Sequence, residues 1–301
     1  MPSMKDIRKK ISSTKNTQQI TKAMKMVSAA KLRRAQTAIV NARPYAYKIH
    51  SVISRLATSG EYTHPLMVEA ENPQRVLLVV LTSDRGLCGA FNSNIIKYAD
   101  KFYRENKEKY EAVDFVFVGR RGFDFFKKRS VKTVETITNL ANEVNYDIAS
   151  RLADKIMNDF TTGSYDEVIV VYNEFKSAIS QKVIAEKLLP IQPLSREETV
   201  NAEQQDIEES KDREVAATYI FEPAPKEILA QLVPKHFAIQ VYRSMLESIA
   251  GEHGARMTAM DGATRNAGQM IRKLTLTYNK LRQAAITKEL MEIVSGAEAL
   301  K

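Results

Sequence analysis

Apolar residues recur along the first part of this chain at alternating steps of three and four. Positions 4, 7, 11, 14, 18, 21, 25, 28, 32, 35, 39, 42, 46, 49, 53 and 56 keep that alternation unbroken. Eleven of these sixteen are apolar: Met4, Ile7, Ile11, Leu32, Ala35, Ile39, Ala42, Ala46, Ile49, Ile53 and Leu56. A heptad sustained so long predicts a coiled-coil helix of roughly 80 Å at 1.5 Å per residue. Residues 1–59 hold no glycine and only Pro2 and Pro44, which suits one long helix. The five polar positions are consecutive, Thr14, Gln18, Thr21, Lys25 and Ser28, while Ile20, Met24 and Val27 form a separate stripe. The contact face is therefore expected to shift over that stretch, leaving a weak seam.

The other end mirrors this pattern. Met257, Met260, Thr264, Ala267, Ile271, Leu274, Tyr278, Leu281 and Ala285 again alternate by three and four, and 235–301 contain no proline. Two heptad helices at opposite ends of one chain fold back most simply into an antiparallel intramolecular coiled coil. After Ala285 the stripe steps by one residue to Ile286, Leu290, Ile293 and Ala297. The last turns, roughly 24 Å of helix, are expected to leave the amino-terminal helix and meet another surface.

Between the helices the pattern changes to short β-branched runs. Val76–Leu81, Phe115–Val118 and Val168–Tyr172 read as buried strands, and Ser180–Leu188 as an edge strand. Helical patterns near 93–110, 120–129 and 143–160 separate them, which implies right-handed crossovers and a mostly parallel sheet. The expected fold class is α/β: a long antiparallel two-helix coiled coil with an inserted Rossmann-like α/β domain. The expected divisions are 1–59 for the first helix, 75–194 for the α/β domain, 195–225 for an acidic loop and connector, and 226–301 for the last helix. Eight acids and three bases in 195–215 read as a solvated surface insertion.

Charge sharpens the picture at one end. The 301 residues carry 45 Lys+Arg against 36 Asp+Glu, a net charge of +9. Twelve of those bases and a single acid, Asp6, lie in the first fifty residues, so that segment holds +11 and the rest −2. Such a helix could neutralise nucleic-acid phosphates, or lie on a membrane, or stand as a cationic shaft inside an acidic protein cavity. Interleaved aromatics for the first and bulky apolar residues over 14–28 for the second are both missing. No run of 18 apolar residues predicts a membrane span. The single Cys88 excludes a disulfide framework. The heptads run on without a small-residue break, so residue 1 is expected to begin the mature fold and not a targeting segment.

No motif supplies chemistry. TSDRGLCGAFN (82–92) follows the first strand, where α/β sheets bind phosphate, but it matches neither GxxxxGK[ST] nor GxGxxG. A tight turn using glycine for positive φ is the expected role. Cys88 has no histidine near it in sequence, and His50, His64, His236 and His253 are too scattered to predict a metal site. No catalytic residue, cofactor or metal is expected.

Several segments nevertheless resemble one family. MKDIRKKISSTKNTQQITKAMKMVSAAKLRRAQ (4–36) is similar to the amino-terminal helix of the gamma subunit of F-type ATP synthases, and residues 255–300 to its carboxy-terminal helix. ITKELMEIVSGAEA (286–299) fits the signature I-T-x-E-x-x-[DE]-x-x-x-G-A-x-[SAKR] at every specified position. TSDRGLCG (82–89) and FEPAPKEIL (221–229) also match. The resemblance implies a rotor: one gamma per complex, its coiled coil inside a hexamer of alpha and beta subunits, its α/β domain beside epsilon and the c ring. Ion flow through the ring would turn it and drive ATP synthesis or hydrolysis on beta, with gamma also regulating ATPase activity and proton flow. The resemblance further implies roles for single residues. Met24, Arg256, Arg282, Gln283, Thr287 and Glu289 would couple to or contact beta. Ile286, Leu290, Ile293 and Ala297 would form the upper bearing, and Tyr219 and Glu222 would meet the c ring. The implied location is the cytoplasmic face of a bacterial inner membrane, held there only through the complex. A basic coiled-coil nucleic-acid-binding protein and a small α/β enzyme with helical arms are the rival readings.

Overall fold

In the computed structural model, residues 3–58, 64–129, 131–139, 145–178, 180–192 and 224–298 are described. Two long helices bracket an α/β region: α1 (Met4–Thr58) at one end and α5 (Pro225–Glu298) at the other. Between them lie β1 (Arg75–Leu81), α2 (Phe91–Asn106), β2 (Ala112–Val118), α3 (Arg120–Phe126), β3 (Thr133–Ile137), α4 (Tyr146–Thr161), β4 (Glu167–Phe175) and β5 (Gln181–Leu189). The chain forms two compact units, one of residues up to Ala30 with those from Arg256 on, the other of Lys31–Ala255.

In the larger unit the strands run in the order β3-β2-β1-β4-β5, parallel except for β5, which pairs antiparallel with β4. The central strands are buried on both faces, as their unbroken apolar runs require. On one face Val76, Leu78, Val80, Phe115 and Phe117 pack under α2 and α3, with Ile95, Ala99 and Phe126 as their contacts. On the other, Leu77, Val79, Val116 and Val170 meet Leu152 and Ile156 of α4, Ile53 and Leu56 of α1, and Val233 and Phe237 of α5. From Ala46 on, through Ile49, Ile53 and Leu56, the heptad stripe of α1 serves as a core face in the cluster that includes the sheet.

The sequence reading missed β3. Its five residues, Thr-Val-Glu-Thr-Ile, are half-buried throughout and lie at a sheet edge with an irregular register against β2, so they show neither a continuous apolar run nor a clean alternation. Pro44 and Pro234 both lie inside helices. Tertiary packing around them outweighs the roughly 3 kcal/mol that an interior proline costs a helix.

The smaller unit corrects the reading of the polar stretch. The contact face of α1 does not shift at residues 14–28. Thr21 and Ser28 are buried, and Thr14, Gln18 and Lys25 half-buried, whereas Ile20 and Val27 are exposed at 59% and 57%. The seam keeps its register because α5 offers polar partners there. Thr21 Oγ1 and Thr264 Oγ1 share a hydrogen bond of 2.8 Å, Gln18 Nε2 donates to the Thr264 carbonyl at 3.4 Å, and Lys25 Nζ donates to Asp261 Oδ1 at 2.5 Å. Thr14 Oγ1 lies 4.0 Å from Met270 Sδ. These pairs fix α1 antiparallel to α5. Extended along both helices, the same register sets Met4 opposite the turn around Leu281, so α5 runs on past the first turn of α1.

Candidate functional site: the helix pair and the closed sheet crest

The carboxyl end of β1, where a related sheet would hold phosphate, is filled by the chain itself. Ser83 Oγ donates to the Arg85 carbonyl at 2.6 Å, and Asn92 receives the Ser83 backbone N–H at 2.9 Å. The turn is tied to the next one: Arg121 N–H donates to the Ser83 carbonyl at 3.1 Å, Arg120 N–H to Asp84 Oδ1 at 3.1 Å, and Gly122 N–H to Thr82 Oγ1 at 2.9 Å. Gly119 takes φ +97° and lies so close to Thr82 that an added Cβ would fall 2.0 Å from its carbonyl oxygen. Of the two glycines expected to supply positive φ in the first turn, Gly89 does so at +58°, and the second such position is Leu87 at +64°.

Helix α5 then crosses this crest. Ser248 Oγ lies 3.5 Å from the Leu81 carbonyl. A Cβ on Gly251 would stand 3.3 Å from the Phe91 ring, and one on Gly254 3.2 Å from the Ala178 carbonyl, so a side chain at either position would press its neighbours back by a few tenths of an ångström. The remaining hollow is lined by Thr82, Ser83, Asp84, Ser248, Glu252 and His253. Its acids make it a poor phosphate cradle. Cys88 is buried, and its thiol has Asn92 Nδ2 at 3.2 Å, Ser83 Oγ at 3.8 Å and the Arg85 carbonyl at 3.9 Å as partners. Among the described residues no cluster of three or more His, Cys, Asp or Glu could hold a metal ion.

The residues that the resemblance singles out fall into two groups on the helix pair. Met24 is half-buried on α1, flanked by the exposed Ile20 and Val27, and Arg256 is buried on α5. Arg282, Gln283, Thr287 and Glu289 are all exposed and lie further along α5, Arg282 about 30 Å beyond Asp261 at 1.5 Å per residue. The structure therefore does not bring the six together. Around the second group the apolar stripe is open: Ile286, Leu290 and Ile293 are 49%, 57% and 68% exposed. Met291 and Val294, which the stripe did not include, are exposed as well. The side chain of Ala297, the whole of Tyr219 and Glu222, and the acidic stretch 195–215 lie outside the described residues. Sequence reasoning also passed over Lys25 and Asp261 as a pair. The signal was present, since Asp261 is the sole acid between Arg256 and Lys288.

Two terminal helices paired along a seam that carries polar contacts, an apolar helix end exposed among the described residues and an α/β insert define the class as a helical shaft with an inserted α/β domain. The comparisons with known proteins agree. The chain matches the ATP synthase family over residues 3–300. It is 59% identical to the ATP synthase gamma chain of Bdellovibrio bacteriovorus and 49% identical to that of Geobacter metallireducens, over 100% of both chains in each case. It is similar to a solved chain from the central stalk and c-ring of the Tetrahymena thermophila mitochondrial ATP synthase, with a TM-score of 0.57, 29% identity and coverage of 81% of this chain and 99% of that one. It shares the fold of a rotor chain from the Euglena gracilis mitochondrial ATP synthase, with a TM-score of 0.62, 23% identity and coverage of 94% and 98%. The chain belongs to the ATP synthase gamma chain family, and it is the non-catalytic central-stalk subunit of that rotary machine. The nucleic-acid and small-enzyme readings find no support in these likenesses. No described helix is long and apolar enough to cross a membrane.

Proposed function

We propose that this chain is the rotor that couples ion flow through a c ring to ATP synthesis or hydrolysis on a head of alternating alpha and beta subunits. One copy serves each complex, and its α/β domain meets epsilon and the c ring, with Tyr219 and Glu222 facing the ring. The chain is peripheral, held through the complex at the cytoplasmic face of the inner membrane, and it regulates ATPase activity and proton flow. One observation carries the reading: the end of α5 bears Ile286, Leu290, Met291, Ile293 and Val294 in the open. An apolar surface of that kind favours a nonpolar sleeve, at about 25 cal/mol per Å² covered. A smooth apolar sleeve has few hydrogen bonds with which to hold one angle, which suits a bearing made of Ile286, Leu290, Ile293 and Ala297.

Torque is exchanged lower down and around that bearing. Met24 and Arg256 form the lower contact with beta, and Arg282, Gln283, Thr287 and Glu289 the upper. The exposed Lys5, Arg8, Lys9, Lys10, Lys15 and Lys22 of α1 face carboxylates of successive beta subunits. The test is coexpression with the alpha and beta subunits, which is expected to give a complex with cooperative ATPase activity. Met24→Lys should leave that complex assembled yet lower the protons pumped per ATP hydrolysed, because the added cation pairs with a beta carboxylate and prolongs one rotary state. Normal pumping per ATP in that variant would remove Met24 from the coupling set.

A further inference from the structure

Over residues 14–28 the face that α1 turns toward α5 is polar, although α5 brings the buried Met260 and Ala267 to the same seam. The apolar residues Ile20, Met26 and Val27 of α1 face outward at 57–60% exposure. Apolar seams hold two helices together without fixing their axial register, since a slip of one heptad again sets apolar against apolar. Polar pairs differ, because each needs its own partner. A slip of seven residues either way would set Lys25 opposite Gly254 or Gly268, and Thr21 opposite Met257 or Ile271.

The electrostatics are as selective as the packing. From Arg256 to Lys288, α5 carries one acid, Asp261, and in residues 3–30 α1 carries one, Asp6. Asp261 holds Lys25 at 2.5 Å across the seam and Arg265 at 3.3 Å along its own helix. The hydrogen bond from Lys25, aided by the charges of Lys25 and Arg265, keeps its carboxyl below the usual carboxylate range. Asp261 is therefore the one carboxylate that this stretch of α5 can offer to the cations of α1. Below this pair, Gln18 fits over Gly268, where a Cβ would come within 3.0 Å of its amide nitrogen.

We propose that Lys25 and Asp261, with the Thr21–Thr264 and Gln18–Gly268 contacts beside them, are positioning residues that lock the axial register of α1 against α5. The lock sets the angle and height at which Met24 is presented, and in this functional part the proposal rests on the rotor reading. Coulomb attraction between partly exposed groups is weak, so the lock selects a register and contributes little to overall stability.

The test uses the chain assembled with its alpha and beta subunits, carrying Thr14→Cys and Met270→Cys, whose disulfide yield reports register. Lys25→Glu and Asp261→Lys should each reduce that yield, and the protons pumped per ATP, by about threefold, the scale of one ion pair turned to repulsion. The double exchange, Lys25→Glu with Asp261→Lys, should restore both. Should a reversal prevent assembly, Lys25→Met keeps the length of the side chain, removes its charge and should lower the yield by about half as much. Unchanged cross-linking in the single variants overturns the lock whatever pumping does, as does a double exchange that restores neither readout. Failure of the rotor reading would show separately, as pumping that ignores Met24→Lys in a chain whose cross-link still follows the charges.

Discussion

The apolar end of α5 allows a prediction with a worked magnitude. In Leu290→Asp/Ile293→Asp, two side chains that are 57% and 68% exposed are replaced where the bearing would cover them. Complete burial of a leucine or isoleucine is worth about 1.5–3 kcal/mol, so covering the exposed part contributes about 1–2 kcal/mol for each. Placing a carboxyl in an apolar collar adds about 1–3 kcal/mol per group when no partner is supplied. The two terms together weaken association with the head by about 4 kcal/mol or more, roughly a thousandfold in the equilibrium constant. The isolated chain should melt where the parent does, because both positions face solvent there. The assay is reconstitution with alpha and beta subunits over a concentration series, scored by complex formation and ATPase activity. Ser295→Asp, on the same exposed stretch, is the control for added charge alone and should lose far less. Equal loss in the control, or undiminished assembly of the double variant, would refute the bearing argument.

Two further predictions concern the α/β region. Gly119→Ala places a methyl against the Thr82 backbone at φ +97°, whereas Gly163, at φ +74°, has open space around it. Gly119→Ala should therefore cost about 3–5 kcal/mol and Gly163→Ala about 1 kcal/mol, compared by denaturant unfolding of the full chain; equal costs would remove the steric argument. Tyr172 donates to Glu186 at 2.8 Å, and its phenol is held above its ordinary value of 10.0 by burial first and by Glu186 and Glu247 next. A folded-state value raised in this way gives stability that is complete below pH 10 and is lost as pH rises further. Tyr172→Phe should thus melt lower at neutral pH, by about 1–2 kcal/mol for the lost hydrogen bond, yet lose less on going to alkaline pH; melting temperatures across that range, with tyrosinate absorbance, decide it.

Much of the fold was legible because burial and periodicity coincide in it. Val76–Leu81 is buried on both faces and reads as a run, and the stripe from Met257 to Ala285 is covered at every one of its positions. The step to Ile286 is where burial ends, so the register break could be read from sequence alone. Other features depend on distant partners. Nothing between Thr133 and Ile137 announces a strand, since that edge is shaped by β2 beside it. The closed crest was legible only as a missing motif. Its closure comes from α5, through Ser248 over Leu81 and Gly251 over Phe91, far away in sequence, and small residues in a helix show only that something approaches closely.

The polar seam shows most plainly what a single-helix pattern leaves out. Scored one helix at a time, Thr14, Gln18, Thr21, Lys25 and Ser28 are failures of a heptad, and Ile20, Met24 and Val27 look like the better face. Scored in antiparallel register, Thr21 meets Thr264, Gln18 reaches the Thr264 carbonyl and Lys25 meets Asp261, so three of these polar groups find partners on the other helix. Ile20 and Val27 are then left facing outward. The same pairing changes the meaning of the basic amino terminus. Twelve cations and one acid in fifty residues suggest a polyanion when α1 is considered alone. Beside an α5 that supplies one acid between Arg256 and Lys288, Lys25 is paired internally, and Lys5, Arg8, Lys9, Lys10, Lys15 and Lys22 are exposed. The charge excess of this shaft stays high because Asp261 is the sole acid between Arg256 and Lys288, and a second acid on that face would both lower the excess and offer Lys25 a wrong register.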